Sequence, residues 1–173
     1  SGRRLNVAIG RTSDLTGDRY ESTTAHLDAR NYVALTDRIV FAQRFVSRNA
    51  WGSDLQLFYL GGSWDLRGYE FRRFAGKRTL LVNNELRFPL IDRFLLKFPF
   101  GMIEFPLFRG SLFFDAGRVS GFIYDTEWLG SIGTGVAMNL GYLPVIRLKF
   151  SRLTDFSEIA SDIHVDFFLG FNF

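Results

Sequence analysis

His164-Val165-Asp166-Phe167-Phe168-Leu169-Gly170-Phe171-Asn172-Phe173 ends the chain on strict alternation. Val165, Phe167, Leu169, Phe171 and Phe173 share one face, opposite His164, Asp166, Phe168, Gly170 and Asn172. A period of two marks a strand whose two sides meet unlike surroundings. Toward the N-terminus the same period returns seven times. It predicts strands over about Leu5–Arg11, Thr23–Leu35, Arg38–Ser47, Arg78–Pro89, Phe105–Gly117 and Gly130–Asn139, then around Ile146, Leu148 and Phe150, before the final Asp162–Phe173. Thr36-Asp37 and Gly141-Tyr142 make short turns, while Thr12–Ser22 and Leu153–Ser161 read as longer loops. The expected fold is therefore all-β, with eight strands in an order that permits up-and-down antiparallel pairing.

Which face meets which medium decides the class. In this register the apolar face carries no Asp, Glu, Lys or Arg inside the eight strands, only Arg11 and Arg78 at strand ends, and the other face carries nearly all of them. The interior of an eight-stranded barrel is only wide enough for its own side chains. An apolar face so rich in Phe, Leu and Ile would overfill it. Turned outward into lipid, the same face leaves small and charged residues on the lumenal side, which is the pattern of a transmembrane β-barrel of the outer-membrane type. Trp51, Tyr124, Trp128 and Tyr142 fall near strand ends, where an aromatic girdle sits. A soluble ligand-binding β-barrel is the competing reading, and solubility without detergent would distinguish it.

At 173 residues the chain is long enough for one domain, spanning 1–173, and short for two. It has no cysteine, which excludes disulfides and thiolate metal sites. The net charge is +3 with no basic run longer than Arg72-Arg73, so nucleic-acid binding is not expected. No window is long and apolar enough for a transmembrane helix. The opening Ser1-Gly2-Arg3-Arg4 shows no signal peptide, and the chain reads as a mature piece. Leu90–Glu104 is apolar and proline-containing with no assignable period; an interfacial turn is one reading of it.

Chemistry-bearing residues are few. His26 and His164 lie on lumen-facing positions and read as satisfied polar residues. Gly130-Ser131-Ile132-Gly133-Thr134-Gly135 has the glycines of a phosphate loop but sits on a strand with no helix after it. Glu85 and Asp115 fit a structural ion network better than a catalytic pair. No catalytic residue, cofactor or metal is expected.

The most unusual stretch is the connection from Asn49 to Lys77, too long for an ordinary loop. It holds Trp51, Leu57, Phe58, Leu60, Trp64, Leu66 and Tyr69 among its apolar residues, too much surface to leave in water. It must fold back onto something. Gly61, Gly62 and Gly68 let the backbone turn sharply on either side of Arg67, which is then carried indoors and needs acidic partners.

Gly61-Gly62, the tetrad Leu66-Arg67-Gly68-Tyr69, Asn83-Asn84-Glu85-Leu86-Arg87-Phe88-Pro89 and Phe113-Phe114-Asp115-Ala116-Gly117 carry a resemblance. In this order, and with the terminal aromatic, the chain is similar to the bacterial surface-antigen domain. That domain is the C-terminal barrel of the BamA, TamA and FhaC superfamily of outer-membrane assembly factors and translocators. The resemblance covers essentially the whole chain. It implies that the tetrad arginine lies on an extracellular loop tucked into the lumen, where Arg67 meets Asp115 with Glu85 nearby. The terminal strand, with Val165, Phe167, Leu169, Phe171 and Phe173 at two-residue spacing, resembles the C-terminal recognition strand that assembly machinery reads in outer-membrane proteins; a simple lipid-facing strand is the other reading, and both can hold together.

The implied function is insertion or export of other proteins at the bacterial outer membrane, with the lipid bilayer and unfolded outer-membrane or secreted proteins as partners. The family's barrel has about sixteen strands, within the usual outer-membrane range. Eight strands alone leave no lumen for the loop. The chain is then half of a larger barrel, completed by further strands or by self-association. A small self-closed barrel, anchoring the membrane without transport, is the alternative.

Overall fold

The computed structural model describes all residues except 15–19, 54–55, 93, 106–107, 123–124, 140–144 and 171–173. Eleven strands follow one another: β1 (Gly2–Ser13), β2 (Glu21–Ala34), β3 (Val40–Gly52), β4 (Phe58–Leu60), β5 (Phe74–Ile91), β6 (Phe94–Phe98), β7 (Gly101–Phe105), β8 (Phe108–Phe122), β9 (Leu129–Asn139), β10 (Val145–Thr154) and β11 (His164–Gly170). Eight of them form one antiparallel sheet in the order β1-β2-β3-β5-β8-β9-β10-β11, which is up-and-down, and β4 adds to β5. The all-β antiparallel expectation holds. Among the described residues the sheet does not close, since β1 pairs only with β2 and β11 only with β10.

Three expectations are corrected. Strands run further into the connections than the alternation showed: β3 reaches Gly52 instead of Ser47, β5 starts at Phe74 instead of Arg78, and β8 runs to Phe122 instead of Gly117. Ladder hydrogen bonds are made by the backbone, so pairing continues past the last apolar side chain. Leu90–Glu104 is not a simple turn, because β6 and β7 pair there as a separate hairpin. The lumenal side is not uniformly small and charged, as the core below shows. Of the aromatic girdle, Trp51 and Trp128 are exposed at the ends of β3 and β9, while Tyr124 and Tyr142 lie outside the described residues.

Register sorts the side chains. On one face of the sheet Leu5, Val7, Ile9, Phe45, Leu112, Phe114, Ile132, Val136 and Phe150 are all exposed. On the other face sit the buried residues Asp28, Ala42, Val46, Leu81, Phe113, Asp115, Val119, Ser131 and Ser151. A water-soluble sheet buries its apolar side; here that side is the bare one, as lipid contact requires. Arg78, Arg118 and Arg152 stand in the outward rows at the end that carries the long connections, beyond the apolar band.

The core lies on the lumenal side and is small. Val46, Leu81 and Val119 come from β3, β5 and β8, and Leu60 and Leu66 descend onto them from the long connection, all at most 1% exposed. Tyr69, Phe74 and Leu129 pack around them. The long connection is thus the lid of the only core cluster found among the described residues.

The outward face makes a direct prediction. Leu112 is 51% exposed within the apolar band. In lipid vesicles, Leu112→Arg should lower stability toward urea by about 2–4 kcal/mol if the site lies near the bilayer midplane. Glu70→Arg, on the exposed part of the loop, should change it by no more than about 0.5 kcal/mol. Equal effects at the two positions would mean that the apolar face does not meet lipid.

Candidate functional site

The segment from Gly61 to Arg73 is a compact double turn. Gly62 N–H donates to Leu66 O at 3.2 Å, Asp65 N–H to Gly62 O at 3.1 Å, and Arg72 N–H to Gly61 O at 3.3 Å. Gly61 has φ +119°, and a Cβ there would stand 2.4 Å from the carbonyl oxygen of Glu70. Gly68 has φ +84°, and a Cβ there would meet Ser151 Oγ at 2.6 Å. Only glycine lets the chain cross itself at the first point and touch β10 at the second.

Between those glycines Arg67 points into the protein, 4% exposed. Its Nε donates to Asp115 Oδ2 at 2.6 Å and one terminal nitrogen to Asp115 Oδ1 at 2.6 Å, a two-pronged fork on one carboxylate. The other terminal nitrogen donates to Glu85 Oε2 at 2.6 Å, and the backbone N–H of Arg67 reaches Asp115 Oδ2 at 3.3 Å. The guanidinium carbon lies 3.7 Å from the centre of the Phe113 ring, on the strand that carries Asp115. Glu85 also accepts from Arg87 Nε at 2.8 Å, and Ser131 Oγ approaches Asp115 at 3.5 Å. Burial alone would discourage the charge on Arg67, but the carboxylates of Asp115 and Glu85 outweigh it and raise its pKa.

The rest of the loop is fastened across the concave face. Arg44 of β3 donates to Trp64 O at 3.1 Å while holding Asp28 of β2, and Arg48 donates to Tyr59 O at 3.4 Å. Asn83 of β5 donates to Asp65 O at 2.8 Å. Tyr69 OH donates to Gly130 O of β9 at 3.3 Å, and Lys149 Nζ of β10 to Ser63 O at 2.9 Å. Trp64 packs edge-on against Phe168 of β11 at 5.0 Å, with the Arg147 guanidinium 4.9 Å from the Trp64 ring. One loop thereby touches six strands, from β3 to β11. Beneath it lies a cavity of about 340 Å³ whose lining includes Arg30, Arg44, Arg87, Arg109, Arg147 and Lys149.

The structure brings Arg67, Asp115 and Glu85 together, with Gly61, Gly62, Leu66, Gly68 and Tyr69 in the same loop. Val165, Phe167 and Leu169 are exposed on the outward face of the edge strand β11, while Phe171 and Phe173 lie outside the described residues. His164 is exposed. His26 departs from expectation, because its buried Nε2 has no hydrogen-bond partner among the described residues. Sequence reasoning quoted Phe113 within the Phe113-Phe114-Asp115-Ala116-Gly117 motif but missed its role as the ring beneath the Arg67 guanidinium. It also missed the Asp28–Arg44 pair between the neighbouring strands β2 and β3, and the Trp64 cluster, which joins the loop to the distant β10 and β11.

A clamped loop inside a lipid-facing antiparallel sheet narrows the choice of families, and one family model, the Omp85 superfamily domain, matches residues 1–173. The chain belongs to the Omp85 superfamily. No curated protein matches it. Membership ties the chain to outer-membrane protein assembly and translocation in general, the work of a family whose members are not enzymes.

Removing the guanidinium tests the clamp. Arg67→Ala strands Asp115, 0% exposed, without its counter-charge, so stability should fall by about 3–5 kcal/mol. Proteases should then cut within 61–73 in the folded protein. In a double-mutant cycle, Arg67→Ala and Asp115→Ala together should cost well under the sum of the single changes. Additive costs, or a loop as resistant as before, would show that the contact does not hold the loop.

Proposed function

We propose that this chain is the membrane-embedded barrel portion of an Omp85 machine that inserts β-barrel proteins into the outer membrane or exports proteins across it. The observation that carries the reading is a pairing of opposites. The middle of the sheet is locked to an internal loop by Arg67, whereas both outer strands present an unpaired edge among the described residues. A bare edge is a template for strand addition. A client strand emerging from the periplasm gains main-chain hydrogen bonds there, and the apolar outward rows of β1 and β11 supply a lipid-facing neighbour of matching character. The loop acts as an internal brace that keeps the sheet curved while an edge is engaged. Further strands, or a second copy, complete the wall when no client is present.

A small self-closed anchor barrel would need β1 against β11, and the pairing of each strand with a single neighbour favours the assembly reading over it. The bare outward apolar face opposes a soluble ligand-binding barrel.

These 173 residues contain no cysteine, so a single introduced thiol is the one reporter in the chain. Single cysteines at Val7 on β1, Val165 on β11 and Leu112 on the central β8 are each offered to an unfolded outer-membrane protein carrying one cysteine in its terminal strand. Disulfide-linked product is expected at Val165 or Val7 and not at Leu112. Equal trapping at all three, or none at either edge, would remove the strand-addition mechanism.

A further inference from the structure

The β6–β7 hairpin stands apart from the main sheet and pairs only with itself among the described residues. It exposes Leu95 (52%), Phe98 (48%), Phe100 (100%) and Met102 (61%). It leaves the sheet between β5 and β8, at the end where the other connections are the short 35–39 and 140–144. Those two strands are central, so strands added at the β1 or β11 edge would not cover it. Its exposure therefore has a different cause from that of the open edges.

Along the chain the hairpin is separated from the lipid-facing β5 only by Asp92-Arg93, and Phe105-Pro106-Leu107-Phe108 lead back into β8 with no charged residue. The ladder shifts register between Pro89 and Ile91. Around that shift Leu90 and Ile91 are 50% and 48% exposed, extending the outward apolar rows of β5 to the foot of the hairpin. Leu90 belongs to this surface, since a Cβ on Gly110 of β8 would stand 2.9 Å from Leu90 Cγ. Asp92, next in the chain, forms an exposed ion pair with Arg38 of the β2–β3 turn at 2.6 Å. Apolar surface on this scale marks an interaction site, and its continuity with a wall that meets acyl chains points to the same partner.

We propose that the hairpin is a membrane foot, lying in the interfacial layer of the leaflet at the short-connection rim with Phe100 among the upper acyl carbons. Lys97, paired across the hairpin with Met102, is exposed and long enough to carry its ammonium up to the headgroups. The foot widens the lipid contact of the central strands without adding to the wall, and it opposes rocking of the sheet when an edge opens. This inference rests on the membrane-embedded reading above.

The test places a single nitroxide on Phe100→Cys in the full chain in phosphatidylcholine vesicles, with Asp37→Cys on the neighbouring turn as the water reference and Leu112→Cys as the lipid reference. Phe100 makes no packing contact that the change would remove, and Met102→Cys serves as a second reporter. Collisions with oxygen, which concentrates in the bilayer, and with a water-soluble nickel chelate are read by power saturation. The oxygen-to-nickel ratio at positions 100 and 102 should be several-fold above that at 37 and approach that at 112. A ratio equal to that at 37 would overturn the proposal, as would an immobilised label shielded from both reagents, which signifies a protein partner. If position 112 itself were open to nickel, the membrane-embedded reading would fall and the foot with it.

Discussion

The structure depends on one buried guanidinium. Taking Arg67 and Asp115 out of water costs several kcal/mol per charge, and only near-ideal geometry offsets that. The geometry here spends three guanidinium N–H donors on carboxylates, two on Asp115 and one on Glu85, and sets the face of the plane against the Phe113 ring. A lysine could not satisfy two carboxylates and a ring in one plane. The pair also joins elements distant in sequence, because Arg67 is on the loop, Glu85 on β5 and Asp115 on β8. The loop cannot leave without exposing both carboxylates and the apolar cluster of Val46, Leu81 and Val119.

Space for the clamp is made by small residues elsewhere. On β9 the lumenal row reads Ser131, Gly133, Gly135 and Ala137, and the reason is steric. A Cβ on Gly133 would stand 2.5 Å from Phe113 Cζ, so that ring, and the guanidinium over it, require the glycine. Gly117 on β8 serves Leu60 in the same way, at 2.8 Å from its Cδ2. The small residues on the inner face are the complement of the bulky loop that fills it, and neither makes sense alone.

Alternation made the sheet legible. Val165, Phe167 and Leu169 announce an outward face because a two-residue period survives whatever the strand's neighbours are. Arg67 and its acceptors were legible as well, through the glycines beside the arginine and the family resemblance of the motifs around it. The hairpin of β6 and β7 was not, since Phe94-Leu95-Leu96 and the residues after it are apolar on both faces and give no period to read. Nor was the lumenal core. Val46 sits between Arg44 and Arg48, and Leu81 two residues before Asn83, so their rows look polar until the loop supplies Leu60 and Leu66 as partners. Contacts that create a core out of two distant segments leave no mark in either segment alone.

The distribution of these contacts bears on how the sheet could yield. Among the described residues the loop's bonds and ring contacts fall on β3, β5, β8, β9, β10 and β11, and none reaches β1. Every residue of β1 is exposed, so this strand is held by its ladder to β2 and by little else. β11 is held by its ladder to β10 and, toward the loop, by the Trp64–Phe168 contact. Proteins open first where buried contacts are fewest. Releasing the loop would uncover a carboxylate with no exposure and break at least four strong bonds at once, whereas peeling β1 uncovers no buried side chain of its own. On the proposed reading the loop is therefore the brace and the edges are the moving parts, because the same clamp that makes the centre costly to open leaves the outer strands cheap to exchange.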